Sequence, residues 1–145
     1  MKTPRLGKLP PRYSFMLNRH AEERLSKCPK CHKHTYRRKF PLLIHIEECG
    51  LLTLGKSGPY CAPCELFIVH QDELEAELAQ GPKEIADAAI NGQYFVVGMV
   101  DKKYWQSGLR GHASTMQEVL RHTADFKEFL KLEVQPGGWF PVSGR

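Results

Sequence analysis

No uncharged stretch of this 145-residue sequence is long enough to cross a bilayer as a helix. The longest run without Asp, Glu, Lys or Arg is Ala88 to Val100, 13 residues, where a membrane helix needs roughly 20. The basic N-terminal stretch MKTPRLGKLPPR is not followed by an apolar h-region, so a secretory leader is not expected and a cytoplasmic location is the default. Acidic residues are scarce in the first half. Residues 1–64 hold four (Glu22, Glu23, Glu47, Glu48) against 13 Lys and Arg, a balance of +9. Residues 65–145 hold 12 acids against eight bases, a balance of −4, so the two halves sum to +5. A basic half beside an acidic half gives a directed surface field, with nucleic acid as one candidate partner and a solubilising surface as the plainer reading. The apolar fraction of 41% and charged fraction of 26% are globular values and exclude wholesale disorder.

Catalytic constellations are also lacking. His112 lies near Ser114, but no third group or oxyanion site accompanies them. The seven histidines are scattered, and Glu73 and Glu77 share a helical face that reads as solvated surface. The expectation leans away from an enzyme. Gly50 to Ser57 satisfies the phosphate-loop expression G-x-x-x-x-G-K-[ST]. That chemistry needs a loop followed at once by a helix N-terminus. Here Leu51 to Leu54 reads as a strand and Gly58-Pro59 opposes a helix, so nucleotide binding is not expected.

What is present is cysteine in pairs. Cys28-Pro-Lys-Cys31 and Cys61-Ala-Pro-Cys64 are separated by 29 residues, and Cys49 stands alone between them. A two-residue gap turns both sulfurs of a tight bend toward one ion, and four thiolates complete a tetrahedral shell. Pro29 and Pro63 restrict φ within the bends. A closed shell leaves no position for water or substrate, so it is structural. Disulfides are the first alternative, disfavoured without an oxidising compartment. A thioredoxin-type redox pair is the second, disfavoured by the duplication and the lack of a βαβ frame. A single iron is the third. Rubredoxin-like knuckles carry Gly after the second cysteine, where this chain has His32 and Glu65. One structural Zn²⁺ held by Cys28, Cys31, Cys61 and Cys64 is therefore expected. Cys49 is read as a reduced bystander in a turn. His32 and His34 are reserve ligands that complete cysteine ligation makes unnecessary.

These residues resemble a zinc ribbon over about residues 26–71. The resemblance implies that each knuckle opens or closes an antiparallel strand and that the metal clasps the two. Zinc ribbons occur in transcription and translation factors, in modification enzymes and as purely structural parts, so the resemblance implies the metal far better than the role.

The rest of the chain reads as α+β: an N-terminal zinc ribbon of antiparallel strands with a helical and mixed C-terminal unit. Residues 1–14 read as a flexible basic arm, 15–71 as a helix plus the ribbon, and 72–145 as a small α+β unit. The helix is expected over 15–27, capped by Asn18 with Leu17, Ala21 and Leu25 at i+4 spacing. Strands are expected at Thr35–Phe40, interrupted by Pro41, then Leu42–Glu47, Leu51–Leu54 and Leu66–His70, with a turn at Gly55–Pro59. Helices follow over Gln71–Leu78 and from Pro82 to about Ile90, then a buried strand at Tyr94–Val100. Thr115-x-x-Glu118 forms a capping box opening a helix whose stripe includes Met116, Leu120, Phe126 and Leu130. Leu132–Val134 is a short strand, and Pro136-Gly137-Gly138 a turn before Trp139, Phe140 and Val142.

Lys33, Arg37, Arg38 and Lys39, flanked by Tyr36 and Phe40, are the candidate nucleic-acid residues, because cations neutralise phosphates and aromatics stack on unpaired bases. Strand alternation puts Arg37 and Lys39 on one face and Arg38 on the other, which splits the strip. The expected function is a structural zinc-binding interaction module contacting nucleic acid through its basic half. The alternatives are a protein–protein scaffold without nucleic-acid binding and an enzyme with a site between the two units.

Overall fold

A computed structural model of the chain describes residues 6–20, 26–108, 116–135 and 138–143. The elements are β1 (Ser14–Asn18), β2 (Tyr36–Ile46), β3 (Gly50–Cys61), β4 (Leu66–His70), α1 (Gln71–Leu78), α2 (Lys83–Ile90), β5 (Tyr94–Val100), α3 (Lys102–Gly108), α4 (Met116–Arg121), β6 (Thr123–Asp125), β7 (Glu128–Gln135) and β8 (Gly138–Ser143). Helices and a mixed sheet make the α+β class. The eight strands form a single sheet in the order β6-β5-β2-β3-β4-β1-β7-β8. The four strands before residue 71 form its centre, and the four after it flank them two on each side.

That order dictates strong curvature. β6 is at one edge and β7 lies six places away, yet only Phe126 and Lys127 separate them in the chain. Three Cα steps reach at most about 11 Å. Six strand spacings in a flat sheet would need about 29 Å. The sheet must curl until its ends meet. Residues 6–13, expected as a loose arm, run along this seam instead. Leu6 N and Gly7 N donate to the Asp125 carboxylate at 3.1 and 2.6 Å, and Lys8 N donates to Leu120 O at 2.8 Å. Leu9 N donates to Thr123 O at 3.1 Å, Arg12 N to Asp125 O at 3.0 Å, and Lys127 N to Tyr13 O at 3.0 Å.

Alternation along the strands sorts the core onto two faces. Inside the curl lie Phe15, Phe40, Leu42, Ile44, Phe67 and Val69, with Leu74 and Leu78 of α1 and Ala88 and Ala89 of α2 packed against them. Phe15 stacks on Phe126 at 4.6 Å, and Phe129 meets both rings edge-on. On the outer face Leu43, Val97 and Val100 are covered by Tyr104 and Trp105 of α3 and by Val119 and Leu120 of α4. Also outside, Met16, Leu66, Ile68 and Leu130 pack against the paired cysteines.

Several elements differ from the sequence reading. Ser14–Asn18 is a strand rather than the start of a helix, and residues 21–25 lie outside the described set. β1 runs parallel to both β4 and β7, so it is buried on both faces and lacks the alternation that marks an exposed-face strand. Pro41 does not interrupt β2; it pairs with Gly55 of β3 at a point where β5 has not yet joined on the other side, so its missing N–H costs no ladder bond. Gly55–Pro59 is not a turn but the middle of β3. Its glycines serve close approach: a Cβ at Gly55 would meet the Trp105 ring, and one at Gly58 would overlap Ile68 O. The expected C-terminal helix stops at Arg121, and Thr115 of its capping box lies outside the described residues. Thr123 turns its hydroxyl back onto Val119 O at 2.6 Å, and Phe126 and Leu130 belong to the strand region that follows.

Asp125 is 7% exposed and its carboxylate holds two backbone donors of the seam. Asp125→Ala leaves those donors unpaired and is expected to cost about 2 kcal/mol. A lowered urea midpoint with faster hydrogen exchange at Leu6 and Gly7 is the expected result; unchanged exchange there would contradict the seam.

Candidate metal centre

The first cysteine pair sits in a small hairpin. Lys27 bridges to His34, Thr35 N donates to Ser26 O at 3.0 Å, and Cys28 N donates to Lys33 O at 2.8 Å. At its tip His32 N closes onto Cys28 O at 2.8 Å, and Lys30 N points at Cys28 Sγ at 3.4 Å. The second pair spans the β3–β4 connection: Cys61 ends β3, pairs with Leu66, and Glu65 N closes onto Ala62 O at 3.2 Å. The two bends share a backbone device. The residue after each second cysteine is left-handed, His32 at φ 65° and Glu65 at φ 50°. This is the position at which rubredoxin-like knuckles carry glycine. Here a side chain is held there at a cost of about 1–2 kcal/mol each. Glu65 is further fixed by Arg12 at 3.3 Å and Lys127 at 3.8 Å, and its carbonyl accepts from Ser14 N at 2.8 Å.

These bends bring Cys28, Cys31, Cys61 and Cys64 together with all four Sγ atoms within 4.8 Å of one another. Cys31 Sγ and Cys61 Sγ are 3.5 Å apart, and none of the cysteines is in a disulfide. A tetrahedron of thiolates at about 2.3 Å from one ion has edges of about 3.8 Å, so the cluster fits a single four-coordinate metal. Among the described residues no other group of three or more His, Cys, Asp or Glu side chains converges in this way. Cys28 and Cys61 are buried, and Cys31 and Cys64 are half-buried against Met16, Leu66, Ile68 and Leu130.

The electrostatics of the bare cluster favour a cation. A hydrogen bond from the Lys33 backbone N–H draws the Cys31 thiol down to about 7. Burial pushes Cys64 up to about 12, with the neighbouring thiols adding to the rise, and burial also raises Cys61. Four adjacent thiolates would repel strongly, and a divalent ion removes that penalty. Lys30 reaches from the first bend to Glu128 of β7 at 3.1 Å; that hydrogen bond raises Lys30 and lowers Glu128. It also ties the cysteine hairpin to the sheet and places a positive charge near the cluster.

The other sequence candidates are dispersed. His32 and His34 are exposed and outside the cluster. Cys49 is exposed in the β2–β3 turn, at the opposite end of an eleven-pair ladder from Cys61, on the order of 30 Å away. The phosphate-loop match lies wholly within β3. Its Lys56 is 4% exposed and pairs with Glu73 at 3.4 Å and Glu77 at 3.3 Å on α1, while donating to Ser57 O at 2.8 Å. It anchors a helix to the sheet, a role that the motif hid. Lys33, Arg37 and Lys39 are exposed. Lys39 lies 5.8 Å over the Trp105 ring. Arg38 stands on the opposite face of β2, 4.7 Å over Phe40 and 5.1 Å over Tyr60. The four cations are therefore not gathered on one surface. The comparison of the chain with protein-family profiles, curated proteins and solved structures gives no match.

Ligation strips protons from thiols that burial holds high, so metal affinity rises with pH and falls on acidification. Lowering the pH from about 8 to about 5 is expected to release one metal ion per chain, read with a chromophoric chelator. Retention of the ion through that range would contradict thiolate ligation.

Proposed function

We propose that Cys28, Cys31, Cys61 and Cys64 hold one Zn²⁺ whose work is structural, and that the chain is an interaction module built around it. The observation that carries this reading is the closed set of four converging sulfurs. Zinc suits a closed thiolate tetrahedron, and such a shell offers no site for substrate. Among residues 26–35, Cys28 alone is fully buried, so this hairpin has little apolar packing of its own and the ion supplies its attachment. The unoxidised thiols suit a reducing compartment such as the cytoplasm. Cys64→Ser is expected to lose the ion and to expose amides of residues 26–35 to hydrogen exchange. Cobalt loading of the unaltered chain gives the visible spectrum of tetrahedral thiolate coordination. A protein isolated without chelator that holds iron, or no metal, would overturn the zinc assignment.

Of the four cations Lys33, Arg37, Arg38 and Lys39, one surface feature supports a nucleic-acid role for Arg38 alone. Arg38 lines a hollow of about 460 Å³ together with Arg12, Lys102 and the rings of Tyr13 and Phe40. Cations beside aromatic faces suit single-stranded phosphate backbone and unpaired bases. Arg12 also lies 4.5 Å over Tyr13. Paired reversal, Arg12→Glu with Arg38→Glu, is expected to weaken salt-dependent retention on single-stranded DNA, lowering the log–log salt slope by about 1.4 for two lost phosphate contacts. Unaltered retention excludes this surface. In that case a concentration-dependent mass in light scattering would favour the scaffold reading.

A further inference from the structure

The curled sheet does not close along its whole length. β6 has three residues and pairs only with Gly98–Val100, which leaves Tyr94–Val97 of β5 beyond it. β7 pairs with β1 only at Ser14–Met16. Past those points the strands part, and a cavity of about 170 Å³ opens between them. Its walls are mainly apolar, with Phe15, Leu17, Val96 and Phe129 among them and Gln71 a polar member, and its rim carries Arg19 and Lys131. Phe15, Phe126 and Phe129 form a cluster of mutually tilted and stacked rings behind the wall. Among the described residues neither Arg19 nor Lys131 makes an ion pair. Glu75, which neighbours the lining residue Tyr94, already accepts from Tyr94 Oη at 2.6 Å and from Gln71 Nε2 at 2.7 Å.

We propose that this cleft binds a small monocarboxylate with an apolar body of ring size, the body between β1, β5 and β7 and the carboxylate between Arg19 and Lys131. Size sets the body: an apolar cavity of about 150 Å³ is known to accept benzene, so about 170 Å³ takes one ring or a chain of similar volume. Charge sets the head. Two cations at the rim of an apolar pocket favour an anion over a neutral isostere, and guanidinium matches carboxylate with two parallel bonds. The aromatic cluster favours a ring, which gains tilted contacts that an alkyl chain lacks. The pocket and the cysteine cluster share only Leu130 among their residues, and no cysteine lines the pocket, so this inference does not depend on the metal.

The test titrates the intact, metal-replete chain at low ionic strength with phenylacetate, octanoate and phenylacetamide, followed by calorimetry and amide chemical shifts. Phenylacetate is expected to saturate with a Kd on the order of 1 mM, as fits a ligand of this size. Shift changes are expected at Leu17, Val96 and Phe129. Octanoate binding more weakly supports the aromatic preference; octanoate binding more tightly would overturn that preference. The amide is expected to bind about tenfold more weakly than the acid. Arg19→Gln and Lys131→Gln, both rim changes that leave the core intact, are expected to remove that tenfold difference and to leave the amide unaffected. No saturable binding of any of the three, or equal affinity for acid and amide in the unaltered chain, would overturn the proposal. So would full retention of acid binding in the double variant.

Discussion

Two residues, Phe126 and Lys127, join strands that lie six places apart in the sheet. No flat arrangement satisfies that connection. The curl gives the sheet an inside and an outside, and the alternation of side chains then assigns each strand residue to one of two environments. The inside becomes an aromatic core capped by α1 and α2. The outside becomes the bed for α3, α4 and the cysteines. The same connection accounts for the docking of residues 6–13, because an edge strand of three residues cannot close a seam alone and the preceding chain completes its hydrogen bonds.

The cysteine cluster occupies the outer face and performs a different task. β2 and β3 form a long ladder that is stable through its own cross-strand pairs, and β4 is buried on both sides. The hairpin at residues 26–35 has neither advantage. Its hydrogen bonds are few and its side chains mostly face water, so the cysteine cluster is the place where a bound ion would substitute for packing. The left-handed His32 and Glu65 show that the backbone tolerates strain in both bends to aim the sulfurs. Lys30 and Glu128 then join the bend to β7, linking the cysteine hairpin to the closing region of the sheet.

What the sequence disclosed and what it hid divide along physical lines. The four clustered cysteines were legible because the chemistry of a CxxC bend is local. β4, α1 and β5 coincide with their expected ranges, since Leu66–His70 and Tyr94–Val100 are compact apolar runs and Gln71–Leu78 begins with acids suited to a helix N-terminus. β1 was hidden because a strand between two parallel neighbours shows no alternation. The end of α4 was hidden because Phe126 and Leu130 fall at helical spacing by coincidence, while long-range pairing takes Leu130 into β7 and leaves Phe126 in the connection before it. Gly55 to Pro59 carried turn residues for reasons of close packing. The left-handed positions at His32 and Glu65 had no signal in residue type. The curl itself, and the cleft it leaves, arise from contacts between the two ends of the chain and could not be read from any window.

The seam has a consequence for the order of assembly. Its hydrogen bonds join residues 6–13 to 120–127, with sequence separations such as 118 for Gly7 and Asp125. The four thiols, by contrast, lie within residues 28–64. On the ribosome the metal ligands emerge together while the strand that shuts the ring has yet to be made. The amino-terminal segment therefore stays unpaired until residues 120–127 have been made, and its docking closes the largest loop in the fold.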